Sequence, residues 1–383
     1  MSQWKDLPLP ELLQWARELA EDTEFPTVHQ WKADGGKVLG HFQVYFPEEI
    51  AHAAGMLPVK VRGAQLEPRQ AGSRFGSYLC SILKTSLEVA MTGRLPLDMF
   101  VTHPICDSAR NLAGIFGRNL PFPSQILYLP QNANSAFAAE YLAEEYHRLG
   151  EDVSQISGQP ISDEALRDSI ILYNQSRRLL RSLYQLKREE PWRLAIDEAY
   201  VLVALSGLLP REDYLKLLEY AMTLLQQRTA TRRDLLRVVW DGGFCEQPPI
   251  DMLRVVARSC YVVDDDLLIG QRYLLEDVPE DGDPWIALAE SYLHRSNWCA
   301  VQHDLRKPKE AMLLERIRKS GAQAAIITAA KMCEPGLDEQ VAYSKALDEA
   351  GIAYFISEFE EQMSGFEGLQ IQLETFAENL LFD

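Results

Sequence analysis

Phe100-Val101-Thr102-His103-Pro104-Ile105-Cys106-Asp107-Ser108-Ala109-Arg110-Asn111-Leu112 is the stretch whose reading decides the fold. Met99, Phe100 and Val101 make a short apolar run suited to a buried strand. Pro104 ends strand pairing, and Asp107 or Ser108 can cap a helix over residues 109–116. Cys106 therefore lands in a strand-to-helix turn. In an open parallel sheet such a turn faces the crevice where these folds bind ligands, and backbone N–H groups at a helix start favour a thiolate or an anionic cluster. The arrangement recurs far along the chain. Ala325-Ile326-Ile327 reads as a strand, and Ala329-Ala330-Lys331-Met332-Cys333-Glu334-Pro335 turns out of it.

Outward from residue 100 the pattern is alternating. Leu9, Leu12, Leu13, Ala16 and Leu19 give a helical N-terminal segment over residues 1–30, read as a docking helix. Residues 37–44 read as a strand, 47–54 as a helix with proline in its first turn, and 57–61 as a second strand, together a β-α-β unit. A helix over 74–93, strands at Phe100 and Ile126-Leu127-Tyr128, and a helix over 136–149 complete a first α/β domain, residues 31–160. Residues 161–230 are helix after helix, broken at Glu190-Pro191 and Leu209-Pro210, and form a helical bridge. A second α/β domain, residues 231–383, follows, with strands at 235–240, 261–263, 300–302, 325–327 and 353–356 and helices over 308–320 and 339–350. The two halves share a strand-turn-helix grammar without a close residue repeat.

Composition excludes several classes of function. With 383 residues and 47% hydrophobic content the chain can bury more than one core. No window approaches twenty apolar residues and the first residues hold no signal-peptide core, so a cytoplasmic protein without a membrane span is expected. A net charge of −18, from 56 acidic and 38 basic side chains, would repel phosphate backbones and argues against nucleic-acid binding. There is no Gly-x-x-x-x-Gly-Lys-Ser/Thr loop; Gly35-Gly36-Lys37 precedes a strand and reads as a turn, so the chain is not expected to hydrolyse ATP. Neither Gly-x-Gly-x-x-Gly after a strand, Gly-x-Ser-x-Gly, His-Glu-x-x-His nor Cys-x-x-Cys occurs.

Six cysteines remain: Cys80, Cys106, Cys245, Cys260, Cys299 and Cys333. Cys80 stands at the start of a helix, and Cys106 and Cys333 in turns, each followed by an acid. Thiolates from three separate crevice-facing segments could hold three irons of a [4Fe–4S] cube and leave the fourth open for substrate; the competing reading of each is a buried small apolar residue. Glu49 can orient a ligand or water, or simply complement the dipole of a first helical turn. His103 can donate a proton near neutral pH or pack its ring under the strand. Asp264-Asp265-Asp266 can face the crevice or cap a helix, with Arg272 pairing to it or to a ligand phosphate.

Five blocks carry a family resemblance: residues 45–59 (Tyr45-Phe46-Pro47-Glu48-Glu49 onward), Tyr78-Leu79-Cys80-Ser81, His103-Pro104-Ile105-Cys106-Asp107, residues 263–273 (Val263-Asp264-Asp265-Asp266-Leu267-Leu268-Ile269-Gly270-Gln271-Arg272-Tyr273) and Lys331-Met332-Cys333-Glu334-Pro335. In this order, over nearly the whole length, the chain resembles the benzoyl-CoA reductase and 2-hydroxyacyl-CoA dehydratase family. The resemblance implies two Rossmann-like or flavodoxin-like parallel-sheet domains with a helical insertion. It implies a [4Fe–4S] cluster bound by Cys80, Cys106 and Cys333 near an aromatic acyl-CoA site, with Glu49 and His103 as candidate catalytic groups. Cys245, Cys260 and Cys299 match no ligand block and are read as core thiols.

In length and in its last block the chain looks most like the smaller non-ATPase subunit of an ATP-dependent benzoyl-CoA reductase. That likeness implies a related sister subunit, two further subunits that hydrolyse ATP and pass on electrons from ferredoxin, and reductive dearomatisation of the ring in anaerobic aromatic degradation. Dehydratase members often carry a cysteine where this chain has Leu268, which favours the reductase. The alternatives are a 2-hydroxyacyl-CoA dehydratase subunit that uses its cluster for ketyl-radical dehydration, and a cluster-free partner that scaffolds an active sister.

Overall fold

In a computed structural model, described over residues 4–42, 44–76, 78–242, 248–298, 304, 306–360 and 362–382, the inner strands carry near-continuous apolar runs whose side chains point by turns to opposite sides and so bury both faces of a sheet. The chain begins with α1 (Leu9–Glu21) and α2 (Pro26–Ala33), then β1 (Lys37–His41), α3 (Glu48–Ala53) and β2 (Met56–Lys60). There follow α4 (Ser81–Met91), β3 (Met99–Thr102), α5 (Asp107–Asn119), β4 (Ser124–Ile126) and α6 (Ala138–Ser157). The helical stretch is α7 (Asp163–Glu189), α8 (Ile196–Ala204) and α9 (Arg211–Gln227). The rest is β5 (Leu236–Asp241), α10 (Ile250–Ser259), β6 (Cys260–Asp265), α11 (Pro284–His294), α12 (Lys309–Ser320), β7 (Ala324–Ala330), α13 (Glu334–Ala350), β8 (Ala353–Phe359) and α14 (Glu367–Phe382).

The fold is α/β with two four-stranded parallel sheets, ordered β2-β1-β3-β4 and β6-β5-β7-β8. Each order is the same doubly wound pattern, so the connections diverge between β1 and β3 in one sheet and between β5 and β7 in the other. Crevices open there, at the carboxyl ends of the strands. Val38, Leu57 and Phe100 point to one side of the first sheet and Leu39, Met56, Met99 and Val101 to the other. The first side packs on α1, α4, α8 and α9; the second packs on α3, α6 and, returning from late in the chain, α11. In the second sheet Val238, Trp240 and Ile326 face one core, and Val239, Ala325 and Ile327 the other.

Several boundaries differ from the sequence reading for local reasons. The helix expected over 74–93 begins only at Ser81, because Gly72, Ser73 and Gly76 favour a short 3-10 turn over Ala71–Arg74. The strand expected to reach residue 44 stops at His41, freeing Tyr45 and Phe46 to turn inward. Helix α13 starts at Glu334, five residues earlier than expected, since Pro335 sits in its first turn, where a missing N–H costs nothing. The N-terminal helix ends at the break that Asp22-Thr23-Glu24-Phe25-Pro26 marks in the sequence, and a second helix, Pro26–Ala33, follows it where none was expected. The strand expected at 300–302 lies outside the described residues.

Candidate functional site

Cys106 itself caps α5, in place of the expected Asp107 or Ser108: its Sγ accepts from the Ala109 N–H at 3.3 Å. Half-buried, the thiol has its pKa raised by burial; the Ala109 and Ser108 N–H groups oppose this, and the carboxylates of Glu334 and Asp107 add to it. Glu334 belongs to the second cysteine turn, so the turn after β3 faces the turn after β7. Cys106 and Cys333 also pack against the same apolar cluster. Cys333 occupies the N-cap position of α13, behind Met332 in a left-handed conformation, and Gly336 leaves the space beside its Sγ free of a side chain.

Cys80 takes the N-cap position of α4 and is half-buried, but it rests on the other apolar cluster of the first sheet. The crossover connections bring the starts of α4 and α5 to one edge, the carboxyl edge, and the two helices pack side by side. Among the described residues no three His, Cys, Asp or Glu side chains stand close enough to share one metal ion. A cube spreads its thiolates over separate irons, so this geometry speaks of a single ion and not of a cluster. Cys106 and Cys333, on facing turns, and Cys80, at the start of the helix beside α5, are half-buried thiols of the kind an iron–sulfur group takes as ligands. Cys260 differs: it is buried in the second sheet's core, with its thiol pushed up to about 12 by desolvation, as a core thiol should be. Cys245 and Cys299 lie outside the described residues.

Between the two sheets, against α7, lies a cavity of about 590 Å³, within the size range of small-molecule sites. Its inner wall is Tyr45, Phe46, Tyr173, Ser176, Leu180 and Ile269, all buried. Its outer rim exposes Arg181, Arg188 and Lys319. Glu49 sits in the inner part, 1% exposed, its carboxylate paired with Arg177 and its carbonyl accepting from Ser169 Oγ at 3.0 Å. The neighbouring Glu48 is bonded to His41 at 3.0 Å and to Arg211 and Tyr173; Arg211 and His41 outweigh burial and hold its pKa down to about 2.

His103 is buried, with Nδ1 2.9 Å from the Leu127 carbonyl and Nε2 2.6 Å from the Tyr45 carbonyl. Burial pushes its pKa down to about 4, so the ring is neutral and donates one N–H at a time. It ties the Cys106 turn to the cavity wall and to the end of β4, and neither nitrogen is left over for a ligand. Among the three aspartates, Asp265 pairs with the buried Lys187 and with Arg272, and Asp266 accepts from the Gly242 N–H. Arg272 is thus held within the protein.

Sequence reasoning reached Glu49 but missed its partner Arg177, and it missed Ser176 and Arg211. These stand in the helical stretch, which bears no motif; the available signal was a run of arginines on a long helix with many buried positions.

Paired doubly wound sheets, with cysteine-started helices and a cavity at their crevices, define an α/β protein of the class that binds ligands at the carboxyl ends of its strands. Residues 43–380 match the family described as 2-hydroxyglutaryl-CoA dehydratase, D-component, and the chain belongs to that family. It is 34% identical over 372 residues to a benzoyl-CoA reductase subunit of Thauera aromatica, covering 94% of this chain and 96% of the relative. It is 25% identical to the (R)-phenyllactyl-CoA dehydratase beta subunit of Clostridium sporogenes, over 95% of this chain and 97% of the relative. It is 26% identical to the (R)-2-hydroxyglutaryl-CoA dehydratase beta subunit of Acidaminococcus fermentans, over 92% and 94%. Each relative is a subunit of a larger enzyme. Among the described residues no helix is long and apolar enough to cross a membrane.

Proposed function

We propose that the chain is the iron–sulfur subunit of an aromatic acyl-CoA reductase of the benzoyl-CoA type, working beside a related sister subunit. The observation that carries this reading is the 34% identity, end to end, with a benzoyl-CoA reductase subunit, against 25–26% with dehydratase subunits. In this reading Cys80, Cys106 and Cys333 hold a [4Fe–4S] cluster, which supplies single electrons at low potential. ATP hydrolysis and electron delivery from ferredoxin belong to other subunits of the complex.

The chain's own residues do the rest. The aromatic and aliphatic side chains of the cavity's inner wall suit an aromatic acyl group; Arg181, Arg188 and Lys319 of the rim, each paired with a carboxylate in this structure, can exchange that partner for a phosphate of a carrier such as CoA. Glu49 and Arg177 form a fixed, neutralised polar pair beside the acyl group. His103 acts as a positioning residue that holds the Cys106 turn against the cavity wall.

Anaerobic co-expression with neighbouring reading frames, followed by iron and sulfide counts and product analysis, tests the reading. Cys80→Ala, Cys106→Ala and Cys333→Ala each lose iron, while Cys260→Ala retains it. Net consumption of two reducing equivalents per ring identifies the reductase; a recycled activating electron and loss of water identify a dehydratase. Protein free of iron and sulfide would leave a scaffolding subunit.

A further inference from the structure

Of the four strands at the edges of the two sheets, three are covered or short. β2 is buried along its whole length, with Gly207 of the helical stretch packed directly on Lys60, and β6 lies against α7. β4 has only three residues. The fourth, β8, runs through Ala353-Tyr354-Phe355-Ile356-Ser357-Glu358-Phe359 and pairs with β7 along all seven without a bulge. Only Phe359 is buried, and Ile356 is 45% exposed. Among the described residues, backbone hydrogen bonds reach β8 only from β7 and from Lys331 just after it.

The unpaired N–H and C=O groups of an open edge are a template for further pairing, and proteins blunt it with lysine, proline, a bulge or a short strand. β8 has none of these. Its aromatic and β-branched residues favour an extended backbone, so the edge suits one more strand from another polypeptide. The charge around it says which kind. Residues 353–383 carry seven acids, Glu358 and Glu360 among them, and no Lys, Arg or His. Lys331 is nearby but already answers Glu360 at 2.5 Å. Helix α14 packs on β8 through Phe376 against Phe355, at 5.9 Å, and shows Ile371 and Phe382 to solvent, 64% and 82% exposed. Two copies joined edge to edge about a two-fold axis would set two such acidic segments together with no base between them. The complement is an apolar strand flanked by Lys or Arg.

We propose that an extended, basic segment of a partner subunit adds to β8 as a fifth strand of the second sheet. The inference needs only that the chain works as a subunit, as its relatives do, and is independent of the iron–sulfur chemistry.

The test is hydrogen–deuterium exchange, read by mass spectrometry, on the full-length chain alone and in the complex that forms on co-expression with neighbouring reading frames. Amides within residues 353–359 that exchange in the free chain slow by about tenfold or more in the complex. Glu358→Lys, at an exposed position, weakens the complex and diminishes that protection while leaving the urea midpoint of the chain alone unchanged, and added salt acts in the same direction. Amides of β8 that exchange equally fast in both samples overturn the proposal, as does a chain that co-purifies with no partner. Protection that appears in the chain alone as its concentration rises also overturns it, since the strand would then come from a second copy. Protection undiminished by both Glu358→Lys and salt overturns the basic partner. Iron content and product, measured on the same complex, judge the reductase reading separately.

Discussion

His103 faces two carbonyl oxygens with one proton to share, and burial keeps it neutral. Its folded-state pKa of about 4 lies below the ordinary 6.5, so between these values the unfolded chain binds the extra proton and the folded chain does not. Stability from this group is complete above about pH 6.5 and falls as the pH drops toward 4, by at most about 1.4 kcal/mol per pH unit. His103→Gln should therefore be less stable than the parent at neutral pH, with the difference narrowing as the pH falls from 6.5 to 4 in urea titrations. His41, also depressed by burial, changes in the same direction, which is why the difference between the two proteins is the quantity to follow. At this scale the sequence already puts Cys106 in a strand-to-helix turn and marks Glu49, which the fold sets in the cavity wall. It hid the Glu49–Arg177 pair and the double carbonyl contact of His103, because such partners meet only when distant segments pack.

At the scale of elements, the cysteines are also the residues that begin helices. Serine is a better N-cap than cysteine, since its oxygen is the stronger acceptor for the Ala109 N–H. Cys106→Ser should keep helix α5, with far-UV circular dichroism unchanged and stability within about 1 kcal/mol of the parent, while the iron content that the proposed cluster requires falls. A helix that melted along with the metal would mean that the sulfur organises the turn through the cluster alone. Hydrophobic period made most helices and strands legible, from the stripe of α1 to the apolar runs of β3 and β7. The helix starts near residues 81 and 334 were not: the apolar period carries a helix straight through Gly76, which in fact delays it to Ser81, and Pro335 reads as part of a turn although it sits in a first helical turn that tolerates it.

At the scale of the whole molecule, the two sheets and the cavity between them are joined by close backbone contact. A Cβ on Gly270 would stand 1.7 Å from the Val44 carbonyl oxygen, so the loop after β6 lies directly on the loop after β1. Gly270→Ala must push these loops apart and is expected to cost about 1–3 kcal/mol, read as a lower urea midpoint at unchanged slope. A midpoint that stays put would show that the loops give way freely. None of this was visible in the sequence beyond a glycine inside a motif. Nor was the return of α11 onto α6, since pattern reveals which face of an element is apolar but not which neighbour will cover it.

The matching strand orders also divide the labour between the rims of each sheet. Short turns ending in left-handed Gly321 and Gly351 lead straight into β7 and β8, closing the amino rim tightly. Insertions, tags or reporter groups placed at the Gly351 turn would disturb neither cysteines nor cavity, whereas the Gly321 turn follows Lys319 of the cavity rim and is best left intact. Changing what the cavity accepts is thus a matter of exchanging the loops at the carboxyl rim while the tight turns of the amino rim are kept whole.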